Sequence, residues 1–219
     1  GLIDYCIDDT GEIIPEYIKM YNREGSDLVE QNIKDVKTKG IKFLQNIDNK
    51  KGPLTTAMKN LSDYQYNDNV IYTLCDGLDK LDSRVDTIVI SGMGGDLITQ
   101  IINRNLEKAV NLKKLIIVAH SKLFLLRKEL TKHFNIIDET IISEKNKIYE
   151  IIIFKPNNSI VTNYNYDDYL LGPIQKLKQE ELFIAKWMAR LEEIEKILKN
   201  TTNLDLVNEQ KCIIKNIGK

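Results

Sequence analysis

Ile136-Ile137-Asp138-Glu139-Thr140-Ile141-Ile142-Ser143 and Ile148-Tyr149-Glu150-Ile151-Ile152-Ile153-Phe154 are two strand-like runs, separated only by Glu144-Lys145-Asn146-Lys147. So short a link cannot hold a crossover helix, so the two strands must be antiparallel neighbours. What precedes them reads differently. Short apolar runs at Leu2–Ile7, Ile41–Ile47, Val70–Leu74, Thr87–Ser91 and Leu115–Ala119 predict strands. The last two, β-branched and uninterrupted, suit strands buried on both faces. Between the runs, helical spacing is expected over Ile13–Asn22, Asp27–Lys37, Pro53–Leu61, Leu97–Ile102 and Lys122–His133. Alternation of strand and helix predicts a largely parallel α/β sheet.

A parallel sheet that ends in an antiparallel hairpin is not a simple dinucleotide fold. It is the arrangement of the Rossmann-like class I S-adenosylmethionine-dependent methyltransferase sheet, although other mixed sheets share it. Asn157–Asp168 is polar and rich in Asn and Tyr, and reads as a linker. Ile174–Lys199 then reads as one long amphipathic helix, and Leu204–Ile217 as a second that folds back on it. The expected organisation is a sheet domain over residues 1–156, followed by a linker and a C-terminal helical hairpin over 157–219.

Composition narrows the class. With 42% hydrophobic residues and only 11 glycines and four prolines in 219 residues, the chain is neither low-complexity nor collagen-like. Thirty-one basic residues against 32 acidic exclude a globally basic nucleic-acid binder. Charge is nevertheless uneven: from Asn103 to His133 eight basic residues face two acids, Glu107 and Glu129. That segment is either a set of solvated helix faces or a phosphate-binding surface. Three scattered cysteines and two histidines make a disulfide framework or a metal site an unexpected reading. No apolar run reaches the roughly 20 residues of a membrane helix, and the opening residues do not read as a secretory leader. A cytoplasmic protein is expected, without metal or membrane contact, as a monomer or weak oligomer.

In such sheets, ligands bind at the carboxyl ends of the strands. At the first end lies Cys6-Ile7-Asp8-Asp9-Thr10-Gly11. Asp8 could hold a cationic amino group and Gly11 could let backbone approach a cofactor, but an ordinary acidic turn is the plainer reading. Asp48, one residue past Ile47, sits where an acid commonly accepts ribose hydroxyls. It is equally a solvated strand-end acid. Asp76 and Gly77 follow the third run; Asp76 could meet an adenine amino group or cap a helix. Ser91-Gly92-Met93-Gly94-Gly95 is the strongest local signal. Three glycines in four residues suggest backbone that comes close to a ligand. It is neither the dinucleotide fingerprint nor a Walker-type loop. Cys75 has no histidine placed by sequence to activate it. His120 ends the fifth run, where a lone histidine is more often a structural hydrogen-bonder.

Taken together, Cys75-Asp76-Gly77-Leu78, Asp86 to Gly95, Asp48-Asn49-Lys50-Lys51-Gly52-Pro53-Leu54, Tyr149-Glu150-Ile151, Leu171-Gly172-Pro173 and Lys186-Trp187 resemble, in order, the bacterial tRNA (adenine-22-N1)-methyltransferase family. The resemblance implies methyl transfer from S-adenosylmethionine to N1 of an adenosine in tRNA. It assigns Asp48 to the ribose, Asp76 and Gly77 to the adenine, and Ser91, Gly92, Met93 and Gly94 to the border of the methyl-transfer site. It gives the helical hairpin a part in gripping tRNA. Lys122, Arg127 and Lys128, in the basic segment, are the expected phosphate contacts; no catalytic residue is assigned. The sequence departs from the family pattern at Cys6–Gly11, where Asp8 replaces a glycine, and at Val118-Ala119-His120, where the family has Gln-Pro-Asn. Met20–Lys39 reads as inserted or divergent, and a helix expected ahead of the first strand is absent from the sequence. Two other readings are a non-catalytic relative that binds RNA or a partner, and a dinucleotide-dependent oxidoreductase. The missing glycine fingerprint weighs against the last.

Overall fold

A computed structural model describes residues 43–63, 70–144, 147–157 and 162–217. The expected first strand, the helices up to Lys37 and the candidate residues Asp8 and Gly11 lie outside them. The order is β1 (Leu44–Asp48), α1 (Lys51–Asp63), β2 (Val70–Leu74), β3 (Thr87–Met93), α2 (Gly95–Arg104), α3 (Leu106–Ala109), β4 (Lys114–Ala119), α4 (Leu123–Leu130), β5 (Phe134–Glu144), β6 (Lys147–Pro156), α5 (Tyr166–Leu171), α6 (Pro173–Lys178), α7 (Glu181–Leu198) and α8 (Leu204–Asn216). β1 and β2 pair in parallel, and a four-stranded sheet has the order β3-β4-β6-β5. The predicted hairpin is present. β5 and β6 pair antiparallel from Phe134↔Pro156 to Glu144↔Lys147, with a bulge between Ile136 and Asp138 that leaves Ile137 exposed. β4 explains its own burial: Leu115 to Ala119 is apolar at every position and almost wholly covered.

The chain forms two compact units, one ending at Gly92 and resumed over Gln100–Ile116, the other holding Met93–Thr99 and everything from Ile117 onward. In the first, β1 and β2 run level, Leu44 opposite Val70 and Asp48 opposite Leu74. α1 follows β1 and buries Leu54 and Ala57, three residues apart. In the second, the C-terminal helices build a core from Leu171, Phe183, Trp187, Ile194, Cys212 and Ile213, closed by Ile141 of β5.

Three expected boundaries move. The linker is shorter than its polarity suggested, because Asn165 starts a helix: its side chain accepts from Asp168 N while its own N–H donates to the Asp168 carboxylate. The single helix Ile174–Lys199 is instead α6 and α7. Gln179 adopts a left-handed conformation (φ 49°) between them, and its amide Nε2 donates to Lys176 O and Asn216 O. Leu177, in α6, is 80% exposed. β3 runs two residues past Ser91, because Met93 O still accepts from His120 N at 3.0 Å.

Candidate active site at the strand ends

In the first unit, the carboxyl ends of β1 and β2 are brought together. Cys75 N donates to Asp48 O at 3.1 Å, so Asp48 and Asp76 lie on one edge of the pair. Asp48 Oδ1 accepts from Lys50 N at 2.8 Å, a turn that launches α1. Asp48 Oδ2 has no partner among the described residues, which leaves an oriented acceptor half-exposed at the strand end. Asp76 is held by a group that sequence reading missed. Arg104, at the end of α2, donates to Asp76 Oδ2 at 2.8 Å and to Asp76 O at 3.0 Å, and also pairs with Asp79. Gly77 has φ 54°, and a Cβ there would lie 2.7 Å from Ile101 Cγ2, so packing and backbone conformation both demand glycine. Ser91 lies in β3, half-buried. Gly92 is exposed, with φ 78°, and a Cβ built on it meets nothing within 4 Å. Its main chain is open to close approach, as a ligand-facing glycine requires.

In the second unit, Met93, Gly94 and Gly95 are locked to the turn after β4. Besides the Met93–His120 bond, Gly95 N donates to Ser121 O at 2.8 Å. A Cβ at Gly94 would lie 2.7 Å from Asp96 Oδ1 and 3.1 Å from Ser121 Oγ; one at Gly95 would lie 2.7 Å from Lys122 O. These two glycines are therefore fixed by their own neighbours, whereas Gly92 is not. Lys122 precedes α4 in a left-handed conformation (φ 60°) with no side-chain cap, a conformation that costs a non-glycine residue about 1–3 kcal/mol.

The basic helix is not uniformly a surface. Lys122 and Lys128 are exposed. Arg127 is wholly buried and cannot reach a phosphate. Its Nε donates to Glu139 Oε1 at 2.8 Å and its Nη2 to Glu150 Oε2 at 2.5 Å. Lys186 of α7 closes on the other Glu150 oxygen, and Glu139 Oε2 accepts from Ile174 N at 2.9 Å and Gln175 N at 3.3 Å. Burial opposes ionisation of both acids. For Glu150, Arg127 and Lys186 overrule it and hold the carboxyl low; for Glu139, burial wins and the carboxyl is pushed up. The expectation of Arg127 as a nucleic-acid contact is therefore set aside: amphipathic spacing cannot tell a cation on the polar face from one drawn inward by two acids.

An open groove of about 530 Å³, lined by residues of the Leu81–Val85 turn and by Glu107, Lys108, Asn111 and Leu112, holds none of the candidate residues. Among the described residues no His, Cys, Asp and Glu cluster could hold a metal, and no helix is long and apolar enough to cross a membrane.

The strand order β3-β4-β6-β5 with its antiparallel edge pair is the arrangement of a Rossmann-like class I methyltransferase sheet. Solved structures agree. A proposed tRNA (m1A22) methyltransferase of Streptococcus pneumoniae is 25% identical, with 87% of each chain covered and a TM-score of 0.78. The same protein in complex with S-adenosyl-L-methionine gives 27% identity, 84% of this chain and 86% of that one, and a TM-score of 0.75. The tRNA (adenine(22)-N(1))-methyltransferase of Bacillus subtilis (strain 168) is 25% identical over 175 residues, 76% of this chain and 72% of the relative. Residues 25–219 match the tRNA (adenine(22)-N(1))-methyltransferase family, TrmK, and the chain belongs to that family.

Proposed function

We propose that this chain transfers the methyl group of S-adenosylmethionine to N1 of adenosine 22 in tRNA, in the cytoplasm. The observation that carries the reading is the level pair of strand ends, where Asp48 presents, beside Asp76, an oriented carboxylate oxygen with no partner among the described residues. Asp48 suits the ribose hydroxyls, and the carboxylate oxygen of Asp76 that Arg104 leaves uncontacted suits an amino group. The open main chain at Gly92 suits a bulky ligand passing over it. S-adenosylmethionine, when bound, supplies a methyl carbon activated by its sulfonium. Adenine N1 carries its own lone pair near pH 7, so the protein need not supply a strong base; its residues must align the base and exclude water. Asp48→Ala is expected to weaken cofactor binding about tenfold or more, the ~1.4 kcal/mol of one charge-assisted hydrogen bond. Calorimetric titration of the folded variant checks this, and an unchanged dissociation constant removes Asp48 from the site. Transfer of labelled methyl to tRNA, with the modified position mapped, tests the activity itself.

The exposed Lys122 and Lys128 are the phosphate contacts of this reading, with the C-terminal helices as a further grip. Changing both to Glu is expected to weaken tRNA binding and lower the salt slope by about 0.7–0.9 per lost phosphate contact, leaving cofactor affinity alone. A slope that does not move makes the basic segment a solvated face only.

A further inference from the structure

The end of β4 meets the start of β6 at an aromatic pair. His120 directly follows β4, and Tyr149 is the third residue of β6. Their ring centroids are 6.0 Å apart with the planes at 64°, an edge-to-face arrangement. His120 is exposed and Tyr149 half-buried, and neither side chain has a hydrogen-bond partner among the described residues. The pair is not loosely placed. His120 N is bonded to Met93 O, and the next residue, Ser121, is bonded through its carbonyl to Gly95 N. The main chain that carries His120 is thus tied to the glycine segment that opens α2, and Tyr149 is held in the β5–β6 ladder opposite Ile142.

Two polar aromatics on hydrogen-bonded main chain, partly facing water, are poorly explained as core. They carry no fixed positive charge between them that would suit a phosphate, and the adjacent Lys122 already supplies one. What they offer is a ring face for stacking, a second ring at a steep angle, and unused polar edges. That is the chemistry that receives an extruded nucleobase.

We infer that His120 and Tyr149 form the platform that holds the target adenine after it leaves the tRNA stack. The inference rests on the methyltransferase reading and deepens it. Stacking fixes the plane of the base, and the polar edges can meet the N6 amino group or N7 while N1 stays free to be methylated. His120 and Tyr149 are substrate-positioning residues with no proton to move.

The test uses the full chain with a tRNA that is either unmodified or carries 2-aminopurine in place of the target adenine. His120→Ala and Tyr149→Ala are each expected to lower kcat/KM for tRNA roughly ten- to hundredfold, the range of one lost base stack. Cofactor affinity should remain within about twofold, and Tyr149→Phe, which keeps the ring, should retain most activity. Stacking should quench 2-aminopurine on the wild-type chain and fail to do so on Tyr149→Ala. Unchanged kcat/KM in folded alanine variants overturns the inference. A loss of cofactor affinity matching the loss of kcat/KM also overturns it, by placing the pair at the cofactor. If the wild-type chain binds S-adenosylmethionine but methylates no tRNA, the functional reading falls. The quenching comparison then still decides the platform: a signal lost in Tyr149→Ala supports it, and a signal unaffected by that change ends it.

Discussion

Arg127→Met is expected to lower the folding stability by about 3–5 kcal/mol, the usual consequence of removing one partner from a buried ion pair. Methionine keeps the packing of the arginine stem, so the loss is electrostatic rather than a cavity effect. Among the described residues, the variant leaves the buried Glu139 carboxylate with the Ile174 and Gln175 amides to answer it, and leaves Glu150 dependent on Lys186. The sign of the pH dependence follows. Glu139 already has a folded pKa raised by burial, and losing its cation raises it further. A carboxyl whose folded pKa is raised contributes its stability below the unfolded value of 4.5 and loses it as pH rises through the folded value. The deficit of the variant should therefore be larger at pH 8 than at pH 5. Urea midpoints of both proteins at the two pH values check this, with a deficit below about 1 kcal/mol or a flat pH dependence counting against the charge account. Replacing the cluster together, as Arg127→Met with Glu139→Leu and Glu150→Leu, should recover most of the loss, because no buried charge then remains unpaired. Lys186 can follow, being 24% exposed and seated over the Trp187 ring at 4.5 Å.

The same cluster shows what the sequence reveals and what it conceals. The hairpin was legible because a four-residue link leaves one geometry for two strands. β4 was legible because five successive apolar residues, mostly β-branched and bounded by polar ones, suit a strand covered on both sides. The acid at Asp48 was legible as a strand-end position. Arg127 was misread for lack of one step. Glu139 and Glu150 interrupt apolar strands, and in the observed register Glu139 opposes Ile152 while Ile141 opposes Glu150. Both acids thus lie on one face, as diagonal neighbours. Two acids on a face that a helix must cover demand a cation from that helix, and α4 has its one arginine there. Registers and covering helices are tertiary facts, which is why periodicity alone sent Arg127 outward. The break at Gln179 is harder still. Nothing in Lys178-Gln179-Glu180 signals a left-handed residue, and the bond from its amide to Asn216 O spans 37 positions. The His120–Tyr149 pair was likewise out of reach, since only the sheet order places the end of β4 beside the start of β6.

Gly172→Ala is expected to lower stability by about 2–5 kcal/mol, combining backbone strain with overpacking. Gly172 joins α5 to α6 at φ 88° and ψ 123°, a conformation that L side chains rarely adopt. A Cβ there would lie 2.7 and 2.8 Å from the two Glu139 carboxylate oxygens and 2.9 Å from Arg127 Nη2. Those atoms cannot step aside cheaply, because the Glu139 carboxylate is held by Arg127 and by two main-chain amides, and the guanidinium by Glu150. The Leu171-Gly172-Pro173 step that opens the C-terminal helices therefore needs its glycine for the sake of a buried carboxylate, as well as for the turn. A double-mutant cycle separates the two causes. If the steric part is real, Gly172→Ala should cost at least about 1 kcal/mol less in the Arg127→Met, Glu139→Leu, Glu150→Leu background than alone, since leucine and methionine can repack around a methyl group. Strict additivity would leave backbone conformation as the whole reason for the glycine and would disconnect the turn from the buried charges beneath it.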